Sequence, residues 1–190
     1  MSPDFAAQRA IMVESQVRVN DVTDYGIQDA MRIVPRETLL PPQNANLAYA
    51  DVELAYAPGR WLLKPRDVAK LLQAIRPRPG ERALAIAAPY AAAVLEAMGL
   101  KVDRRDEGDL AAAAEGYDIV ICEGAVSEVP PAWCGALAVP GGRLGVVVCE
   151  GPVGRAKLYV PADGGFGARD VFDCAPPIMA GFEPKRAFAF

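Results

Sequence analysis

The stretch Arg82–Met98, RALAIAAPYAAAVLEAM, decides the fold. Ala83-Leu84-Ala85-Ile86 is a short apolar run suited to a strand covered on both faces. Ala87-Ala88-Pro89 is a tight connection, and Tyr90 to Met98 carries apolar Ala91, Val94, Leu95 and Met98 at helical spacing. Strand, turn and helix of this kind form the first unit of a doubly wound α/β sheet, where a ligand sits over the turn at the carboxyl ends of the strands. A turn that cradles a nucleotide needs glycine, so that the backbone can approach the ligand and adopt positive φ. This turn has none. The pattern is that of a nucleotide-type fold whose ligand loop has been overwritten.

Upstream of this unit, residues 4–19 alternate polar and apolar positions in a helical manner, with Phe5, Ile11, Met12 and Val17 on the apolar side. Asp21 and Thr23-Asp24 supply caps for a second helix, Tyr25 to Ile33, which Val34-Pro35-Arg36 ends. Residues 40–59 hold Pro41, Pro42 and Pro58 and predict an irregular arm with one short strand. Pro65 suits the first turn of a helix to Ile75, with Val68, Leu71, Leu72 and Ile75 on one face. Arg76-Pro77-Arg78-Pro79-Gly80 then leads into the first strand.

Downstream, Gly99 fits a helix C-cap and Leu100-Lys101-Val102 a second short strand. Asp103 to Gly108 is a charge run expected in a solvated loop, and Leu110 to Glu115 an alanine-rich turn of helix. Asp118 to Cys122 and Arg143 to Cys149 are buried strands by their β-branched runs, separated by a helix from Pro130-Pro131 through Leu137. Leu158-Tyr159-Val160, Val171-Phe172-Asp173 and Arg186 to Phe190 are expected as antiparallel strands at one sheet edge. No repeat or linker divides the chain. It is expected to be a single domain over residues 1–190, with N-terminal helices and arm over 1–79 and an α/β sheet core over 80–190.

Composition narrows the chemistry. The chain is 52% apolar and 23% charged, as in soluble globular proteins. A net charge of −4 without a basic cluster makes nucleic acid and anionic membranes poor partners. Pro3, Asp4, Gln8 and Arg9 interrupt any leader-like run, and no stretch approaches the ~20 apolar residues of a membrane span, so a cytoplasmic location is expected. There is no histidine, which removes His-dependent triads and the common zinc sites. Cys122, Cys134, Cys149 and Cys174 form no CxxC pair, and no metal site is expected; Cys122 and Cys149 end strand-like runs, where a thiol acts as a small core hydrophobe.

Several stretches resemble the protein-L-isoaspartate O-methyltransferase family. MVESQVR followed by DYGIQDAMRIVPRETLLP is similar to that family's entry helices. AYADVELAYAPGRWLLKPRDVAKLL resembles its arm and the helix leading to the methyl-donor site. GYDIVICEGAVSEVPPAW and PGGRLGVVV resemble its fourth strand, following loop and fifth strand, and PPIMAGFEPKRAFAF its closing strands. The resemblance implies a Rossmann-like S-adenosylmethionine-dependent methyltransferase fold, here shortened, with N-terminal helices and an antiparallel sheet edge. It also implies S-adenosylmethionine as cofactor and methyl transfer to the α-carboxylate of an isoaspartyl residue. That reaction rests on alignment and exclusion of water rather than acid–base chemistry, so the lack of histidine is compatible with it.

Four departures fall at the donor site that the resemblance implies. Ala87-Ala88-Pro89 replaces the glycine-rich turn, and Pro89 also removes an N–H donor. The carboxylate expected to hold the ribose has no clear motif, with Asp103, Asp106 and Glu107 as alternatives. Between Val102 and Tyr117 there is room for one short helix, not for the expected helix and strand. In GRWLLKP, Trp61 and Leu63 stand where hydroxyl residues are usual. The expectation is a family member with an eroded S-adenosylmethionine site that does not bind the cofactor, serving as a non-catalytic binding or regulatory protein. The alternatives are an active carboxyl methyltransferase acting on isoaspartyl residues, or a different small ligand in the same crevice.

No residue is assigned a catalytic role. If a ligand is retained, Ala87, Ala88, Tyr90, Asp103 and Glu123 are the positions to touch it. Glu123 either projects from the fourth strand into the crevice or is a solvated loop carboxylate. Arg60, Trp61 and Lys64 offer a recognition patch for an acidic peptide, in keeping with a protein or peptide partner, although Trp61 is also expected to fill space vacated by the cofactor, as is Tyr90. Self-association is left open.

Overall fold

The computed structural model describes residues 4–151 and 153–184. The expected strand Arg186 to Phe190 lies outside them. Helix α1, Phe5–Met12, opens with Asp4 accepting from the Ala7 N–H and passes into a wider turn over Val13–Val17. Helix α2, Tyr25–Ile33, is capped by Asp24, which accepts from the Ile27 N–H at 3.1 Å. The arm holds a hairpin of β1, Leu54–Ala57, and β2, Arg60–Leu62, where a single strand was expected. Gly59 turns it at positive φ, and a Cβ there would strike Ala180.

Helix α3 spans Pro65–Ile75, β3 Arg82–Ile86, α4 Pro89–Ala97 and β4 Lys101–Arg105. β5 is Ile119–Val126, α5 Pro131–Gly135, β6 Arg143–Cys149, β7 Gly154–Ala162 and β8 Gly165–Cys174. The six strands lie in the order β4-β3-β5-β6-β7-β8, the first four parallel and the last two antiparallel. Helices α1 to α4 pack on one face. Val68, Leu71, Leu72 and Ile75 of α3 are buried there, and α3 approaches β6 so closely that a Cβ at Gly145 would lie 2.6 Å from Ile75. The other face is covered by α5 with Trp133, by Leu110 and Tyr117, and by Met179. Coverage on both faces was expected, but here it is one short helix and loops. Cys122 and Cys149 are buried, unpaired and on neighbouring strands.

Two expectations fail between Arg105 and Ile119. Residues 110–115 form no helix: Ala111, Ala112 and Ala114 are exposed and only Leu110 is buried, so no apolar face drives one. Leu110 is held instead by its carbonyl, which accepts from the Trp133 indole at 2.8 Å. The charge run Asp103 to Gly108 is also not all loop, since its first three residues belong to β4. As an edge strand, β4 leaves one side in water, where Arg82–Asp103 and Arg104–Glu96 pair at 2.7 Å each. No strand or helix lies in that interval, so it lacks the helix and strand pair that the spacing ruled out and also the one short helix for which it left room.

Candidate functional site

Parallel strands β3 and β5 run side by side, Ile86 opposite Cys122, so the Ala87–Pro89 turn and Glu123 meet at their carboxyl ends. The turn keeps the backbone of a glycine turn without the glycine. Ala87 sits at φ 44°, a region that costs an L-residue about 1–2 kcal/mol, and its methyl is buried in the core. Ala88, Pro89 and Tyr90 are buried as well, so the space over the turn is occupied by the chain's own side chains.

The N–H groups of Ala87, Tyr90 and Ala91 already have acceptors within the chain. Ala87 donates to the Arg105 carbonyl at 2.9 Å. The Ala88 N–H faces the Asp106 carboxylate, opposing the burial that raises its pKa. Pro89 has none to give. Tyr90 and Ala91 both donate to Glu123 Oε2 at 3.0 Å. A helix N-terminus is an anion site by virtue of such free N–H groups and its dipole. At α4 the anion is the protein's own carboxylate.

Glu123 is therefore neither solvated nor in a loop. β5 runs on to Val126 through an irregularity between Ile121 and Ala125, which carries Glu123 inside. It is wholly buried, and its free Oε1 faces Nη1 of Arg36, equally buried, at 3.7 Å. Arg36 is fixed by donating to the Ala48 carbonyl at 2.8 Å and the Leu63 carbonyl at 2.5 Å, with its guanidinium 4.6 Å from the Tyr90 ring centre. Burial pushes the Glu123 carboxyl up to about 7 against the opposing pull of Arg36 and the two N–H donors. Burial also lowers the Arg36 pKa, but a guanidinium starts so high that it stays charged at neutral pH. Arg36 was legible in the sequence only as the end of α2; the usable signal was that a carboxylate inside a strand needs a cation nearby.

The remaining predicted positions separate. Asp103 pairs in register with Leu84, in the middle of the strand, and faces Arg82 and Tyr117 rather than the turn. Asp106, just past β4, is the carboxylate that reaches the turn, and its Oδ1 is buried without a partner. Arg60 donates to the Gly59 and Ala180 carbonyls at 2.9 and 3.0 Å, and Lys64 pairs with Glu53 at 3.5 Å. Trp61 is half-buried on β2 and packs against neither core cluster, so it does not fill the crevice; Tyr90, Leu62 and Leu63 point inward instead. The segment Ile178–Phe182 adds a second cover the sequence did not disclose. Met179 donates to the Ala125 carbonyl and Ser127 to the Phe182 carbonyl, both at 2.9 Å, with the buried Met179 side chain against Gly124.

The turn thus carries the Ala87 methyl, its helix start is capped by Glu123, and Ala88, Pro89 and Tyr90 pack over it. No protein-family model matches the chain. Among curated relatives, a protein-L-isoaspartate O-methyltransferase of Anaeromyxobacter is 31% identical across 80% of this chain and 74% of its own length. One of Methylorubrum extorquens is 42% identical across 53% of this chain, which spans only 45% of that relative. Among solved structures, a Plasmodium falciparum chain described as a protein-L-isoaspartate O-methyltransferase, in complex with S-adenosyl-L-homocysteine, superposes with a TM-score of 0.73. It covers 90% of this chain and 97% of the other at 15% identity, a likeness of fold. No helix among the described residues is long and apolar enough to cross a membrane.

Proposed function

The chain belongs to the protein-L-isoaspartate O-methyltransferase family, and on that premise we propose that it is a non-catalytic binding or regulatory member whose S-adenosylmethionine site is closed by its own residues. One observation carries this reading: the N–H groups of Tyr90 and Ala91, at the start of α4, are already held by Glu123. A donor would have to displace a buried carboxylate, open the Ala87–Tyr90 packing and leave Glu123 facing Arg36 alone. Each buried hydrogen-bonding group left without a partner costs about 1–3 kcal/mol, so three of them offset a large part of the ~8 kcal/mol that micromolar affinity requires. With family members acting on proteins, the partner in this reading is a protein or peptide.

Calorimetric titration with S-adenosylmethionine tests it, together with methyl incorporation into an isoaspartyl peptide. Neither heat nor incorporation above a no-protein control is expected. The Ala87→Gly, Pro89→Gly double variant should also stay silent, since Glu123 would still occupy the helix start. Micromolar binding by the unmodified chain would sink the proposal.

A second reading, an active carboxyl methyltransferase for isoaspartyl residues, draws on Asp106. Its unpartnered, buried Oδ1 lies just beyond β4, beside the turn, where a ribose hydroxyl could be received once Glu123 moved aside. Robust incorporation in the same assay would establish it.

A further inference from the structure

Among the described residues, a concentration of charge without ion-pair partners lies at the other end of the sheet. A groove of about 690 Å³ runs between the end of α3, the α1–α2 connection and β8. Lys70, Arg76, Arg78 and Arg169 line it, and none has a carboxylate ion-pair partner among the described residues. A second hollow of about 390 Å³ shares Arg76, Arg78 and Arg169 and continues past Arg143. Arg143 by contrast is consumed by Glu81, at 2.8 Å, and by the carbonyls of Ile75 and Arg76. In a chain with 24 acidic and 20 basic side chains, four unpaired cations on one concave surface are a local reversal of charge.

The backbone holds part of this surface ready. Arg76 closes α3 in the left-handed conformation at φ 55°, and Pro77, buried, fixes the chain between Arg76 and Arg78. Lys70 is steadied 4.8 Å from the Phe172 ring centre. Arginine forks take carboxylates in two parallel hydrogen bonds, and a pre-set backbone lowers the entropy lost on binding. The opposite rim carries Asp21 and Asp24, the latter already capping α2. A long polyanion would run into that rim, and no lining side chain is an aromatic ring open for base stacking. A short anionic segment fits the cationic side alone.

We propose that this groove is a docking site for an acidic peptide segment of a partner protein, its carboxylates engaging Arg76, Arg78 and Arg169. The site is independent of the donor end, so it stands whether or not S-adenosylmethionine binds.

Fluorescence anisotropy of a labelled peptide of alternating glutamate and serine, titrated with the full chain at low salt, tests the assignment. Saturable binding is expected, weakening as salt rises. Arg169→Glu and Arg78→Glu, each at an exposed position, should each weaken it about tenfold. Lys101→Glu, the same charge change at the far edge of the sheet, should alter it less than about twofold. Thermal melting of each variant confirms that it is folded. Absence of saturation, or an equal loss in Lys101→Glu, would overturn the site. Tighter binding of a single-stranded oligonucleotide of equal charge would replace a peptide with nucleic acid. A peptide-free dimer in sedimentation that Arg169→Glu dissociates would replace it with a second copy of the chain.

Discussion

At the carboxyl ends of β3 and β5, Arg36 and Glu123 are turned inward onto backbone groups and each other, whereas at the amino ends Arg76, Arg78 and Arg169 stand exposed with no ion-pair partner among the described residues. Both ends carry formal charge, yet they behave oppositely. A buried charge is stable when most of its hydrogen-bonding capacity is met within the fold, which leaves only single atoms, Arg36 Nη1, Glu123 Oε1 and Asp106 Oδ1, without a hydrogen-bond partner there. An exposed charge contributes little to stability and keeps its capacity for a partner. In the proposed reading the end that the topology marks for a ligand is the closed one, and the open one is on the reverse side.

The sharpest way to break this contrast is Arg36→Met. It should lower the unfolding free energy by about 3–5 kcal/mol above neutral pH, because Glu123 is then buried without its cation. Urea unfolding measures it, and a loss below about 1 kcal/mol would mean the pair does not hold that end shut. Adding Glu123→Leu to Arg36→Met should recover part of the loss, since the stranded charge is gone.

Next comes pH. The Glu123 carboxyl is raised from 4.5 to about 7 on folding, so the folded state binds its proton more tightly. Its stabilising contribution is complete below the unfolded value and is lost as pH climbs through the folded one. Between those limits the unmodified chain should lose on the order of 3 kcal/mol relative to Glu123→Gln. Parallel urea titrations across that window check the sign. A constant difference between the two proteins would place Glu123 in water.

Smaller effects are expected at the open end. Asp24→Ala removes the cap of α2 and should cost about 1 kcal/mol in urea unfolding. Arg169→Ala, exposed and unpaired, should shift stability by less than about 0.5 kcal/mol while still weakening capture of an acidic peptide. A loss of several kcal/mol there would mean that Arg169 is structural, and the contrast between the two ends would dissolve.

Local sequence alone determined the helices α2 and α3, the core strands β3, β5 and β6 and the unit β3–turn–α4, because caps, periodicity and apolar runs act over a few residues. It also determined that the turn lacks glycine and that the interval after β4 is too short for the usual elements. It misjudged β4, whose charged residues look like loop until an edge position gives their outer side water, and the alanines near Leu110, whose propensity had no apolar face to reward. Only the tertiary structure decided the fate of the site. Glu123 and Arg36 are 87 residues apart, and nothing local to either says that a strand irregularity and the end of a helix would bring them to 3.7 Å. Whether a carboxylate is solvated, a ligand group or a cap for α4 depends on which backbone N–H groups the fold brings within reach, and that is fixed by packing across the chain.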